Sequence, residues 1–132
     1  MQIRVIGLPL SLLSLISFVS AVPAPVPGDS QTAPGAITYY DVAAGLTACG
    51  STYKGTDLVA ALPSAVFGSQ SNGNPKCGKG ITLTVGGKSV KAKVVDKCPG
   101  CGPNDVDLSE GAFEKLGSKS AGRIHGMTWK WD

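Results

Sequence analysis

The sequence predicts a small, turn-rich all-β barrel, and three observations lead there. Eighteen Gly and nine Pro among 132 residues, with only 16% charged side chains, exclude a coiled coil or a long-helix bundle. The segment ITLTVGGKSVKAKVVD, residues 81–96, has the alternation and the Gly-Gly centre of a β-hairpin. Four Cys in a short chain with an export signal read as two disulfides before they read as metal ligands or catalytic thiols.

The export signal is residues 1–21. Arg4 supplies the charged start, residues 5–19 the apolar stretch, and Val19-Ser20-Ala21 the small residues of a cleavage site. The apolar run is shorter than the ~20 residues that span a bilayer and is interrupted by Pro9 and serines, so a membrane anchor is not expected. Residues 22–35, VPAPVPGDSQTAPG, hold too few apolar side chains to enter a core and read as an extended, disordered leader. The domain is expected over residues 36–132.

Within it, residues 36–40 and 58–62 are short strand candidates, and Ser64 to Phe67 is a helical turn after Pro63. In the hairpin, a two-residue loop at Gly86-Gly87 pairs Leu83 with Val90 and Ile81 with Ala92 on one face. The other face then pairs Thr84 with Ser89 and Thr82 with Lys91, so a single register serves both sides of the pleat. Residues 105–108 form another strand. Ser109 can cap a helix that turns Leu108, Ala112 and Leu116 to one side, with Gly117 expected to close it. Ile124 to Trp131 is the last strand, with Gly126 marking a bulge.

The ordered segments Ile37-Thr38-Tyr39-Tyr40-Asp41, Ala48-Cys49-Gly50, Val59-Ala60-Ala61-Leu62, Cys77-Gly78-Lys79, Val95-Asp96-Lys97-Cys98-Pro99, Val106-Asp107-Leu108-Ser109 and Gly122-Arg123-Ile124 resemble the double-psi β-barrel superfamily. Its members include expansins, rare lipoprotein A, barwin and family-45 endoglucanases. The resemblance covers most of residues 36–131, and is greatest to small secreted fungal proteins of the rare lipoprotein A-like type. It implies a six-stranded double-psi barrel with one or two short helices and a groove across one face. It also implies pairing of Cys49 with Cys77, leaving Cys98 to pair with Cys101, one of the three connectivities that four Cys allow. A redox role for Cys98-Pro99-Gly100-Cys101 lacks the βαβ setting such motifs use, and zinc would find a single Cys-x-x-Cys pair and one His, His125. No metal or other cofactor is expected.

The same resemblance points to three candidate catalytic carboxylates. Asp107 matches the general acid of the endoglucanases and Asp41 their base, while Asp96 and Asp107 match the groove aspartates of expansins. Thr38, Tyr39 and Tyr40 fall at substrate-binding positions. The chain departs from these relatives by lacking the Cys that follows the endoglucanase base, by carrying Asp105 where expansins have His, and by ending at Asp132 without a counterpart of the second expansin domain. Each aspartate is also suited to a bland role: Asp96 and Asp107 can accept loop or helix N–H groups, and Asp41 precedes a turn. Likewise the aromatics can be core, and Lys88, Lys91, Lys93 and Lys97 can be solvated residues that guard a sheet edge.

The function expected is a secreted, monomeric protein that binds cell-wall or other polysaccharide without hydrolytic turnover. A glycan-cleaving enzyme using Asp107, or a protein-binding effector or protease inhibitor acting on a host or extracellular protein, are the alternatives. Removing Arg4 with the signal leaves a net charge of about +2, too weak for nucleic-acid binding by counterion release. No membrane contact is expected after cleavage.

Overall fold

Alternating apolar and polar side chains along most of the short strands leave one dry face, and six strands bury those faces by closing on themselves. The computed structural model describes Gly7 and residues 31–132, the side chains of 31 and 32 excepted. The expected signal and the first part of the expected leader, residues 22–30, lie outside the described residues apart from Gly7. The strands are β1 (Gln31–Tyr40), β2 (Val59–Pro63), β3 (Gly80–Val85), β4 (Lys88–Cys98), β5 (Val106–Ser109) and β6 (Ile124–Trp131). Two short helices, α1 (Ser64–Phe67) and α2 (Glu110–Glu114), complete the all-β architecture that the resemblance implies. Around the closed barrel the order is β1, β5, β2, β4, β3, β6. The pairs β1/β5 and β2/β4 are parallel and the others antiparallel.

The β3/β4 hairpin has the register read from the sequence: Leu83 opposite Val90, Ile81 opposite Ala92, Thr84 opposite Ser89 and Thr82 opposite Lys91. Gly86 and Gly87 both have positive φ, 53° and 82°, the requirement of the tight two-residue turn that matches strand twist. The inward set Ile81, Leu83, Val90, Ala92 and Val94 joins Ile37, Leu62, Phe113 and Met127 in one core. The bulge expected at Gly126 is present: Met127 pairs with Gly35 and His125 with Ala36, so Gly126, at φ 82°, is the extra residue.

β2 and β5 each lie one residue later than the sequence reading placed them, and two differences are larger. First, β1 begins at Gln31, not at residue 36, because Gln31 and Gly35 pair with Trp129 and Met127 of β6. Residues 31–35 are thus part of the barrel wall despite their polar, Pro-containing composition; backbone pairing supplies what their side chains do not. Second, α2 starts where expected, with Ser109 Oγ accepting from Ala112 N at 3.3 Å, but it ends at Glu114 with Lys115 as its C-cap. Gly117 is not a left-handed cap. A Cβ there would lie 2.4 Å from Ile124 Cδ1, so its smallness admits the β6 side chain. Among the described residues no helix is long and apolar enough to cross a membrane.

Both disulfides implied by the resemblance are formed, Cys49–Cys77 and Cys98–Cys101, and no free Cys remains.

Candidate functional site

Residues directly paired across neighbouring strands project to the same face of a sheet. Thr38 of β1 pairs with Asp107 of β5, Asp107 with Ala61 of β2, and Ala61 with Asp96 of β4. The flanking residues Val106, Leu108, Ala60 and Leu62 point into the core. Thr38, Asp107, Ala61 and Asp96 therefore form one row on the outer face of four successive strands, with a methyl group between the two carboxylates.

Asp96 reaches this row only because β4 is irregular. Along β4 the inward positions are Val90, Ala92 and Val94, so strict alternation would turn Asp96 into the barrel. Ala60 pairs with Val94, but Ala61 pairs with Asp96, leaving Val95 as an extra residue. The bulge sets Asp96 beside Ala61 and drops Val95 into a second small cluster with Val42 and Val59, against which Tyr40 and Tyr53 pack.

The Asp96 carboxylate is enclosed by donors. Its Oδ1 accepts from Ala48 N at 2.8 Å and Lys97 N at 2.9 Å, and its Oδ2 accepts from the Tyr40 hydroxyl at 3.1 Å. The Ala48 donor is held by its neighbour: Cys49 N donates to Val95 O at 3.1 Å, and Cys49 is bridged to Cys77. Burial pushes the Tyr40 phenol far above its ordinary range, reinforced by the charge of Asp96, the hydrogen bond to it and the charge of Asp107. Tyr40 stays a donor.

Asp107 is less encumbered. Its Oδ1 accepts from Thr38 Oγ1 at 2.9 Å. Burial raises its carboxyl above the ordinary value; the Thr38 hydrogen bond opposes this, Asp96 adds to it and the Arg123 guanidinium opposes it. Because the folded-state value is raised, the folded chain binds more protons than the unfolded chain once pH exceeds the unfolded carboxyl's value, and the associated stability is lost as pH rises through the folded value. Asp107→Asn should therefore melt higher than the wild type at pH 7, and the difference should close as pH falls to about 3.5. Melting curves at the two pH values provide the check.

The remaining candidates sit elsewhere. Asp41 is exposed and accepts from Ala43 N at 3.2 Å, capping the 3₁₀ turn Val42–Ala44. Tyr39 faces the opposite way from Thr38 and Tyr40, its ring 4.8 Å from that of Phe113 and its hydroxyl donating to Lys119 O at 3.2 Å. Trp129 is core, 3% exposed, with Trp131 packed edge-on against it at 5.0 Å. Sequence reasoning did not single out Ala61, Ala48 or Arg123 as site residues. Arg123 also pairs with Asp105 at 3.4 Å, and Asp105 Oδ1 accepts from Ala36 N at 2.9 Å. Its signal was its place in the Gly122-Arg123-Ile124 segment. Among the described residues no group of three or more His, Cys, Asp or Glu is arranged to hold a metal ion.

The row offers one half-buried carboxyl with a raised pKa, a hydroxyl beside it, and a second carboxylate whose oxygens are already engaged. Such an array can accept hydrogen bonds from a hydroxyl-rich ligand. Its surroundings can be compared with known proteins. Asp f 7, an allergen of Aspergillus fumigatus, is 43% identical over 99 residues, covering 72% of this chain; the chain spans about a third, 35%, of that relative's length. The papain inhibitor of Streptomyces mobaraensis is 36% identical over 105 residues, covering 76% of this chain and 72% of the inhibitor. Among solved structures, a Streptomyces papain inhibitor superposes with a TM-score of 0.69 at 32% identity, over 76% of this chain and 96% of its own. A mutant Clavibacter michiganensis expansin in complex with cellohexaose gives 0.66 at 25% identity, over 78% of this chain and 50% of the expansin. The sequence profile described as lytic transglycolase matches residues 32–127, a span that holds β2 to β5, β1 from its second residue, the first half of β6 and the whole carboxylate row. With the closed six-stranded barrel and these relatives, that match establishes that the chain belongs to the lytic transglycolase family of double-psi β-barrel proteins.

Proposed function

We propose that this protein is exported and binds an extracellular polysaccharide along the Thr38–Asp107–Ala61–Asp96 row, without hydrolytic turnover. The observation that carries the reading is the outward pairing of Thr38 with Asp107, next to the Tyr40–Asp96 pair. Sugar hydroxyls need such acceptors and donors at fixed spacing on an accessible face. The likeness to an expansin in complex with cellohexaose supports it, and two disulfides together with the signal at residues 1–21 fit export.

Inverting hydrolysis needs a protonated acid and a second carboxylate about 6.5–9.5 Å away that is free to activate water. Asp107 meets the first need in part, since its carboxyl is raised. For the second, Asp96 already accepts from three protein donors and Asp41 from Ala43 N at its turn, which restrains both as bases. Binding without turnover is the outcome this arrangement favours.

The test is a pull-down on insoluble cellulose, chitin, xylan and peptidoglycan, followed by analysis of released products. Asp107→Asn should weaken retention roughly five- to ten-fold, the equivalent of one ordinary hydrogen bond, whereas Lys91→Ala should not change it on a neutral polymer. If soluble sugars accumulate with the wild type and vanish with Asp107→Asn, the protein is instead a glycan-cleaving enzyme with Asp107 as its acid.

A second reading, a protein partner, is favoured by the match to a papain inhibitor over 96% of that solved chain. Residual papain activity at increasing protein concentration separates the two. Loss of papain activity that is unaffected by Asp107→Asn would place inhibition on another surface.

A further inference from the structure

The lysines of β4 invite the explanation that they guard an exposed sheet edge. It does not hold along the whole strand: β2 pairs β4 from Lys93 onward and removes the edge there, whereas Lys88 and Lys91 lie in the half that β3 alone pairs.

The pairing gathers two of them, Lys91 and Lys93, with Lys130 of β6 onto one surface. Thr82 of β3 lies between Lys91 of β4 and Lys130 of β6, so the two lysines stand about 10 Å apart across three strands. Both are exposed. One row toward the hairpin, Thr84 lies between Ser89 and Thr128, with the Thr84 and Ser89 hydroxyls 2.9 Å apart. Lys93, two residues from Lys91 along β4, is also exposed, and its ammonium lies 5.5 Å from the Tyr53 ring centre.

The three strands themselves bring few acidic side chains to this surface. β3 and β6 contain none, and the one in β4, Asp96, belongs to the carboxylate row at the far end of the strand. Asp132, just past β6, is the exception: its carboxylate accepts from Thr82 Oγ1 and lies against Gly80, so Lys91, Lys93 and Lys130 surround a single carboxylate. Among the described residues none of Lys91, Lys93 and Lys130 is in an ion pair.

We propose that this β4–β3–β6 face, on the half of the barrel away from the carboxylate row, binds a carboxylated polysaccharide, a polymer of uronic acids. Lysines supply point charges for carboxylates, and the Thr and Ser row supplies partners for sugar hydroxyls. A nucleic acid fits less well, because the outward positions of these strands carry neither Arg to fork a phosphate nor an aromatic ring to stack a base. A membrane surface fits less well too, since no large apolar side chain projects from these positions to insert. The inference does not depend on the reading of the Asp107 row.

The test is binding of the secreted protein to immobilised polygalacturonate near neutral pH. Lys91→Glu with Lys130→Glu should weaken binding at least about ten-fold, and raising NaCl from about 50 to about 200 mM should weaken the wild type several-fold. Lys91→Arg with Lys130→Arg should stay within about two-fold, since charge is retained, and Asp107→Asn should bind as the wild type does. A double Glu variant with an unchanged melting temperature and undiminished binding would overturn the proposal. So would tighter binding to duplex DNA or to anionic phospholipid vesicles than to polygalacturonate at the same salt.

Discussion

Replacing Cys49 and Cys77 together by Ser is expected to destabilise the barrel by about 3–4 kcal/mol, the loop-closure entropy that the bridge removes from the unfolded chain. For a domain of this size that is a fall in melting temperature of at least ~12 °C. The Cys98–Cys101 bridge spans a sequence separation of 3 rather than 28, so Cys98→Ser with Cys101→Ser should cost only about 2 kcal/mol. Calorimetry of both double variants provides the comparison, and an equal or larger loss on opening the short loop would contradict it. The long bridge has a second consequence. Cys49 follows Ala48, whose N–H holds Asp96 Oδ1, and its own N–H binds the bulge residue Val95. Glycan retention by the Cys49/Cys77 variant should therefore fall even at temperatures where it remains folded, whereas the Cys98/Cys101 variant should retain glycan normally.

Gly35→Ala should destabilise by about 3 kcal/mol or more, through overpacking against backbone and loss of a neighbouring hydrogen bond. A Cβ at this position would lie 1.6 Å from Asn104 O and 2.4 Å from Asn104 C, neither of which can rotate away. Relief requires the loop before β5 to lift, which pulls Asp105 from Ala36 N and disturbs its pairing with Arg123. Gly45→Ala is the matched control. A Cβ there meets nothing within 4 Å and its φ of 178° is ordinary extended backbone, so the change should stay within about 0.5 kcal/mol. Equal melting temperatures for the two variants would mean that β1 is not held against this loop.

The reach of the sequence is clearest in the hairpin. Gly86-Gly87 and the alternation on either side specify a turn and a register locally, so every pair from Ile81–Ala92 to Thr84–Ser89 was legible. Ser109 as a helix cap and Gly126 as a bulge were legible for the same reason, since the residue type answers a need of its own backbone. The closed six-strand order came instead from the succession of motif segments, because two of its pairings are parallel and join strands far apart in the chain. For the site, the resemblance put Thr38, Tyr39, Tyr40, Asp96 and Asp107 at groove positions, but the residues alone carried neither the hydrogen bonds that join four of them nor the turning of Tyr39 to the core side.

By itself, then, the amino-acid order determined the local conformations: turns, caps, strand periodicity, and which residue types could do acid or hydrogen-bonding chemistry. The tertiary structure alone decided what depends on a partner strand. Val95 is an extra residue only relative to β2, and that offset is what brings Asp96 out beside Ala61 and Asp107. Gln31 to Gly35 become strand only because β6 offers them backbone groups to pair with. Lys93 and Lys97 cease to be edge residues only because β2 pairs the second half of β4. In each case the deciding hydrogen bonds join residues distant in sequence, so no local pattern of polarity or propensity contains them.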